Sequence, residues 1–374
     1  MNDLLLSSLQ VSRFRPFKNL QLEKLGRVNL IVGKNNVGKS SLLEALWLYA
    51  RKGSPALVRS LLETRDETKV PEAGEIDSED QLLTIKNLFY GRGTLLEQTE
   101  SILIGPLEGG ANLLSLSIQW YVSQRGDDNV PRLQPIAQEE LSTVENPQLG
   151  IRTQINERVI NRALTRYARR RAVDPSDQDD TPCIYLPANG SEQNTVGNWW
   201  DRTALTRLEQ SVYDAMHIIS PNIVGVNFVA SNEYNLRDPR VPTRIPMAKV
   251  EGLESPIPLK SLGDGINKLF SISLALANTQ NGLLLIDEIE NGIHYSVQSD
   301  VWKHLFKLAK QLNVQIFATT HSWDCIEAFQ KAAQEDVHSE GILVRLGYKQ
   351  GDIVSTVFSE TELAVITREQ IEVR

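Results

Sequence analysis

The sequence offers little sulfur chemistry. It holds two cysteines in 374 residues, Cys183 and Cys325, far apart in the chain. Neither a disulfide framework nor a zinc spacing is present, which suits a reducing cytoplasm. No run of about eighteen apolar residues occurs, so no helical membrane span is expected. The opening MNDLLLSSLQVSRFR lacks a basic stretch before its apolar one and lacks a small-residue cleavage pattern. No secretory leader is therefore expected. Internal repeats, low-complexity tracts and sustained coiled-coil heptads are missing as well. So is a basic excess: 39 Lys and Arg stand against 47 Asp and Glu, for a net charge of −8. A nucleic-acid coat is disfavoured, though a local basic patch could still bind phosphate. What remains is an ordinary globular composition, 41% hydrophobic and 23% charged, in a chain long enough for one or two domains.

The ends of the chain are the readable parts. Leu9, Val11 and Phe14 mark a first strand, Leu20 and Leu22 a second, and Val28 to Val32 a buried third. That third strand runs into Gly33-Lys34-Asn35-Asn36-Val37-Gly38-Lys39-Ser40, followed by the helix formers Ser41 to Leu46. From about residue 255 a second ordered stretch predicts a helix over Ile266–Ala277 and a buried strand over Gly282–Asp287. A helix over Val297–Leu312, a strand over Val314–Thr319 and a helix over Trp323–Ala333 follow. Alternating strands and helices predict an α/β fold with a mixed, largely parallel sheet and an N-terminal antiparallel β part. Residues 1–52 and 255–374 form the expected discontinuous core. Residues 53–254 form an expected insertion with a β-rich arm and a helical, irregular lobe. Within it, 99–124 alternate like antiparallel strands, 127–147 look irregular, and Trp199–Ile218 reads as one amphipathic helix. Thr64–Asp80 reads as an acidic loop and 173–180 as an exposed linker.

Gly33–Ser40 matches G-x-x-x-x-G-K-[ST], which a chain of this length matches by chance about once in a hundred cases. The glycines let backbone N–H groups face phosphates, and the helix that follows adds the positive end of its dipole. Lys39 is placed for the β- and γ-phosphates of ATP, and the Ser40 hydroxyl for Mg²⁺. Gly33, Asn35, Asn36, Val37, Gly38, Lys39, Ser40 and Ser41 are the expected nucleotide contacts. Leu283-Leu284-Leu285-Ile286-Asp287-Glu288 is the partner motif: a buried strand whose carboxylates emerge at the sheet edge where α/β folds bind ligands. Asp287 is the expected Mg²⁺ ligand and Glu288 the residue that orients or deprotonates the attacking water. Ser261-Leu262-Gly263-Asp264-Gly265 opens the next helix, either as an anion-binding segment or as an ordinary cap made by Asp264 or Ser261. Thr319-Thr320-His321-Ser322 ends the following strand, from which His321 can reach the γ-phosphate.

Together with Phe14-Arg15-Pro16-Phe17 and Asp287-Glu288-Ile289-Glu290-Asn291-Gly292-Ile293-His294, these motifs resemble the ABC-type ATPase heads of RecF and SMC proteins. The closer resemblance is to OLD-family ATPases, and it covers roughly 1–52 and 255–335. It implies that Gly33–Ser40 is the Walker A loop, Asp287–Glu288 the Walker B pair and His321 the switch histidine. Ser261–Gly265 would be the signature segment, through which Gly263 and Gly265 cap the nucleotide of a neighbouring copy. Glu290 and Asn291 would lie in the segment that crosses a homodimer interface, and Arg15 would sit near the phosphates. The signature departs from Leu-Ser-Gly-Gly-Gln, so the backbone of Gly263 and Gly265 is the expected contact there, with Asp264 capping its helix. Gln98 and Gln119 both remain possible for the Q-loop.

OLD proteins carry a C-terminal Toprim nuclease, and Asp352, Glu360 and Glu362 do not compose one. About fifty residues follow His321-Ser322, room for a helix, a short hairpin and a tail. The resemblance therefore implies an AAA-family ATPase without Toprim, paired with a separately encoded effector, a nuclease or toxin, in phage defence. The alternatives are a RecF-like DNA-binding repair ATPase and a slowly hydrolysing ATP-gated scaffold. Seven arginines lie between Arg152 and Arg171, with Arg158, Arg162 and Arg166 at helical spacing. They read either as a track for a DNA backbone or as a solvated helix face. Trp199, Trp200 and Trp302 read as packing residues, and Cys325 as a small core residue. His294 reads equally as a helix start and as a group near a second copy's nucleotide.

Overall fold

The computed structural model describes residues 4–67, 84–92, 101–109, 112–125, 131–163, 181–234, 242–335 and 340–372. The chain opens with β1 (Leu9–Phe14), β2 (Phe17–Leu22) and β3 (Val28–Val32), then α1 (Lys39–Ala50) and α2 (Pro55–Glu63). An antiparallel series follows: β4 (Ile102–Gly105), β5 (Leu114–Arg125), β6 (Pro131–Ile136), β7 (Gln148–Ile155) and β8 (Arg158–Ala163). Next come β9 (Cys183–Leu186), α3 (Gln193–Thr203), α4 (Glu209–His217), β10 (Ile223–Tyr234), β11 (Pro242–Val250) and β12 (Ile257–Pro258). The C-terminal part holds α5 (Asp264–Ala277), β13 (Leu283–Ile286), α6 (Tyr295–Gln311), β14 (Gln315–Thr319) and α7 (Trp323–Glu335). It closes with β15 (Gly341–Lys349), β16 (Asp352–Phe358) and α8 (Glu360–Arg368).

One six-stranded sheet organises the rest. Its order is β16-β15-β3-β14-β13-β9, parallel throughout except for β16 at one edge. Parallel strands are covered on both faces, which explains why β3, β13 and β14 read as continuous apolar runs. The period-two geometry splits each strand between two cores. Leu284 and Ile286 face a core built with α3 to α8, while Leu283 and Leu285 face one built with α1, α2 and the antiparallel strands. Val28, Leu30 and Val32 divide from Ile31 in the same way. The antiparallel sheet runs β2-β1-β4-β5-β7-β8 with β6 beside β5, and β10-β11-β12 form a third sheet. The α/β class, the mixed and largely parallel sheet and the N-terminal antiparallel part are as expected. The order puts β14 between β3 and β13, so the residues leaving these three strands gather at one sheet edge.

The middle of the chain differs from its sequence reading in several places. The stretch between 53 and 254 supplies β9 to the central sheet and β4 to the N-terminal one. Residues 127–147, expected to be irregular, include β6. Of the arginines read at helical spacing, Arg158 and Arg162 do not lie on a helix: they sit on β8, paired with β7 across a turn at Asn156-Glu157. Asn156 takes a φ of 56° there, which an Asn tolerates, and Val159 and Ile160 favour the strand. Arg166 and the linker 173–180 lie outside the described residues, as do Gln98 and most of the acidic loop. Gln119 sits mid-strand on β5 opposite Gly150. The single helix read over 199–218 is two, broken where Ala204 turns extended and Leu205 adopts a φ of 62°. At the C-terminal end β15 is more than half of a hairpin, because it is also the parallel neighbour of β3. The three tryptophans are buried, as expected, and so is Cys325. Among the described residues no helix is long and apolar enough to cross a membrane.

Candidate nucleotide-hydrolysis site

The loop after β3 is shaped by two positions that exclude a side chain. Gly33 has a φ of 146°, and a Cβ there would lie 2.5 Å from the Leu346 carbonyl oxygen. Gly38 has a φ of 89°, and a Cβ there would lie 2.9 Å from both Phe17 and Pro16. Pro16 and Phe17 thus form the wall against which the loop closes. Asn36 is also left-handed, with a φ of 65°. Val37 is buried in the core beneath the loop, so only its backbone can serve a ligand. Helix α1 then starts at Lys39 with no side-chain cap and no acid in its first turn. An uncapped helix start presents N–H donors and a positive dipole end, the conditions an anion needs.

The end of β13 supplies both acids, and the neighbouring end of β14 holds them. Asp287 follows β13 and is only 8% exposed. Its Oδ1 accepts a hydrogen bond from Thr319 Oγ1 at 2.5 Å, while the same hydroxyl oxygen accepts the Glu288 N–H at 2.8 Å. Thr319, the last residue of β14, therefore fixes both acids at once. Tyr185 from β9 reaches Asp287 Oδ2 with its hydroxyl at 3.5 Å and stacks on Trp47 of α1. Burial, with Asp287 alongside, pushes the Tyr185 phenol far upward, so it stays a donor. Glu288 adopts a left-handed φ of 47°, a strained state that persists where surroundings over-determine it.

The two motifs meet at His321. Its Nδ1 lies 3.4 Å from Lys39 Nζ and its Nε2 lies 3.8 Å from Glu288 Oε1. The Lys39 ammonium donates to the carbonyl oxygens of Gly33 (2.7 Å) and Lys34 (3.1 Å). Burial lowers its pKa, while Asp287, Glu288 and Glu290 oppose the shift. A cleft of about 800 Å³ opens here, lined by Asn35, Asn36, Gly38, Lys39, Ser40, Ser41, Glu288 and His321. That size suits a nucleotide-class ligand.

The far side of the cleft went unread in the sequence. Arg65, Asn87, Tyr90, Gly91 and Arg92 line it, together with Arg15 and Pro16. Arg15, expected near the phosphates, lines the cleft beside the loop, and its guanidinium is committed to carboxylates. Its Nε lies 2.7 Å from Glu44 Oε2 and its Nη1 lies 2.8 Å from Glu67 Oε2. Arg65 pairs with the other Glu44 oxygen at 2.9 Å and donates to Ser41 Oγ at 3.2 Å. Arg65 falls in the acidic, turn-rich stretch and Asn87 to Arg92 in short turns, and neither carries a periodic pattern. Tyr185 could have been found, since Cys183-Ile184-Tyr185-Leu186 is a short run bounded by Pro182 and Pro187.

Gly263 and Gly265 are not in this cleft. Gly263, with a φ of 106°, is the N-cap of α5, and neither Asp264 nor Ser261 caps it by a side chain. The expected Asp264 cap is corrected: Asp264 is the first helical residue, and its carboxylate favours the helix through the dipole alone. Gly265 packs on the Gly292 carbonyl, where a Cβ would come within 2.5 Å. Lys268, one turn along α5, donates to the Asp287 main-chain oxygen at 3.2 Å, and burial lowers its pKa. His294 is the N-cap of α6 and accepts from Ser296 N–H, the helix-start role of its two readings.

The donor set fits ATP and Mg²⁺. The glycine loop, uncapped helix and Lys39 match a polyphosphate. Ser40 and Asp287 would offer hard oxygen ligands, and among the described residues no group of three or more His, Cys, Asp or Glu could hold a metal alone. Such a sparse set suits a cation that keeps waters and takes phosphate oxygens.

A family model described as "AAA ATPase domain" matches residues 5–101 and 204–326, more than half of the chain. The chain belongs to the AAA ATPase domain family. The two matched parts carry the phosphate loop and the Asp287–Glu288 strand of this ATPase domain, and the gap between them holds β4 to β9 and α3. A curated relative named "ATP/GTP phosphatase", from Helicobacter pylori, is 24% identical over 356 residues, covering 88% of this chain and 89% of the relative. The "DNA replication and repair protein RecF" of Clostridioides difficile is 28% identical over 130 residues, 35% of this chain and 31% of that protein. Among solved structures, the SMC head bound to the C-winged helix domain of ScpA aligns with a TM-score of 0.48 at 12% identity, covering 94% of this chain and 98% of that one.

Proposed function

We propose that this chain is an ABC-type ATPase of the OLD-like group that hydrolyses ATP with Mg²⁺. The observation that carries the reading is the placement of one imidazole, His321, within 3.4 Å of the phosphate-loop lysine and 3.8 Å of the Glu288 carboxylate. The phosphate grip and the base are thereby one side chain apart. Ser40 and Asp287 would hold Mg²⁺, which would supply positive charge beside the phosphates when bound. Backbone N–H groups of Asn35 to Ser41 and the Lys39 ammonium hold the phosphates. Glu288 orients the attacking water and takes its proton, and His321 steadies the γ-phosphate.

A homodimer is the working unit on this reading. Its support is that the Gly263–Gly265 helix start does not line the cleft of its own chain, so that cleft is incomplete until a second copy covers it. A separately encoded effector under the control of nucleotide turnover follows from the OLD-like resemblance, as does a role in phage defence. The Helicobacter relative's name extends the substrate question to GTP, and the partial RecF match keeps DNA binding as the second reading. The deciding experiment measures phosphate release from Mg²⁺-ATP and Mg²⁺-GTP, with particle mass recorded with and without nucleotide. A well-folded protein that releases no phosphate from either would overturn the assignment.

A further inference from the structure

Glu290 stands two residues past Glu288 and does not line the cleft. Its Oε1 accepts the main-chain N–H of His321 at 2.7 Å. Its Oε2 is buried and has no hydrogen-bond partner among the described residues. Among the described residues, the carboxylate's hydrogen bonding is thus directed at one peptide group. That peptide needs an outside acceptor, because β14 ends at Thr319. The next N–H, of Thr320, still reaches the Ile31 carbonyl on β3, and that of Ser322 turns back to Thr320 Oγ1. His321 lies between them, beyond the ladder. A charged acceptor makes a stronger bond than a carbonyl would. Glu290 is itself held, since its carbonyl accepts the Ile293 N–H at 2.9 Å.

We propose that Glu290 is a positioning residue for His321: its carboxylate pins the His321 peptide so that the imidazole stays between Lys39 and Glu288. The proposal rests on the reading of this cleft as a hydrolytic site. The bond lies within one chain, so it forms before any second copy arrives, whatever role the segment has at an interface. A histidine whose main chain is free to shift by an ångström would still leave the phosphate loop able to bind nucleotide. It would miss the reacting phosphate, a displacement worth up to about a hundredfold in rate.

The test compares Glu290→Ala and Glu290→Gln in steady-state nucleotide hydrolysis. Glu290→Gln keeps a neutral acceptor of the same shape and is expected within about fivefold of wild type. Glu290→Ala is expected to lose about 10- to 100-fold in kcat with KM changed less than about threefold. Glu290→Ala combined with His321→Ala is expected to be no slower than His321→Ala alone, because both act through one group. Should the alanine variant not fold, Glu290→Met fills the space without an acceptor and carries the same expectation. Unchanged kcat in the acceptor-less variant would overturn the proposal. So would equal losses in the glutamine and acceptor-less variants, or multiplied losses in the double variant. A wild type that turns over neither ATP nor GTP would instead remove the hydrolytic reading itself.

Discussion

Asn291 holds the Glu288 carboxylate: its Nδ2 donates to Glu288 Oε2 at 2.6 Å. With the Glu288 N–H on Thr319 Oγ1, the residue is gripped at both ends while its backbone sits in a left-handed state. A side chain held this way is pre-organised for a water that has one line of approach. Glu288→Gln keeps the size and loses the basic oxygen. Nucleotide affinity by calorimetry should stay within about threefold of wild type, while kcat falls by about 10² to 10⁴, the usual worth of a general base. Equal turnover in the two proteins would refute the role of Glu288.

Lys39 offers a simpler test of the phosphate grip. Its ammonium donates to Gly33 and Lys34 carbonyl oxygens 2.7 and 3.1 Å away, so it is already aimed across the loop. Lys39→Ala removes one charge-assisted contact, worth about 1.5–3 kcal/mol. Affinity for ATP should fall by about 10- to 150-fold. Isothermal titration with Mg²⁺-ATP checks it, and an unchanged Kd would show that the phosphates lie elsewhere.

Gly38 ties nucleotide binding to folding. A side chain there meets a φ of 89° and two atoms, on Phe17 and Pro16, at 2.9 Å. Gly38→Ala should lose about 1–3 kcal/mol of stability from backbone strain, more if β2 cannot give way. It should also weaken ATP binding, because the loop and the start of α1 shift together. Chemical denaturation and calorimetry on the same preparation separate the two effects. A variant as stable as wild type would show that the loop relaxes freely.

How legible these parts were follows from where each residue's environment is set. Gly33–Ser40 and Leu283–Glu288 announce themselves because local geometry dictates them: a loop that must approach phosphates needs glycine, and a two-sided buried strand needs an apolar run. His321 was legible by its place at the next strand end. Arg65, Asn87, Tyr90 and Arg92 were not, because they come from short turns whose position is fixed by packing on α1 and β1, far away in sequence. Arg158 and Arg162 misled for a related reason. Spacing by four suits a helix face, but it also suits one face of a strand, and the turn at Asn156 decides between them. The Asp264 cap failed because Gly263, a better fit for a φ of 106°, already occupies the cap position.

The Glu44 cluster gives a prediction whose sign depends on pH. Glu44, on the buried side of α1, is 5% exposed and faces Arg15 at 2.7 Å and Arg65 at 2.9 Å. Burial pushes its carboxyl above the ordinary value of 4.5, and the two guanidinium groups only partly pull it back. The folded chain therefore keeps this proton to higher pH than the unfolded chain does. Wherever the folded state binds more protons, stability falls as pH rises. The Glu44 contribution is thus complete below 4.5 and is lost as pH climbs through the raised folded value, beyond which the curve flattens. Glu44→Gln lacks this slope, so the stability of wild type measured against it by urea unfolding should decline from pH 4.5 upward. Arg15→Ala should make the decline steeper and, near neutral pH, cost about 3–5 kcal/mol, since it leaves a buried carboxylate short of a partner. A wild-type curve that rises against Glu44→Gln over this range would mean that the arginines outweigh burial, and that Glu44 is held as a fully ionised anchor behind the cleft.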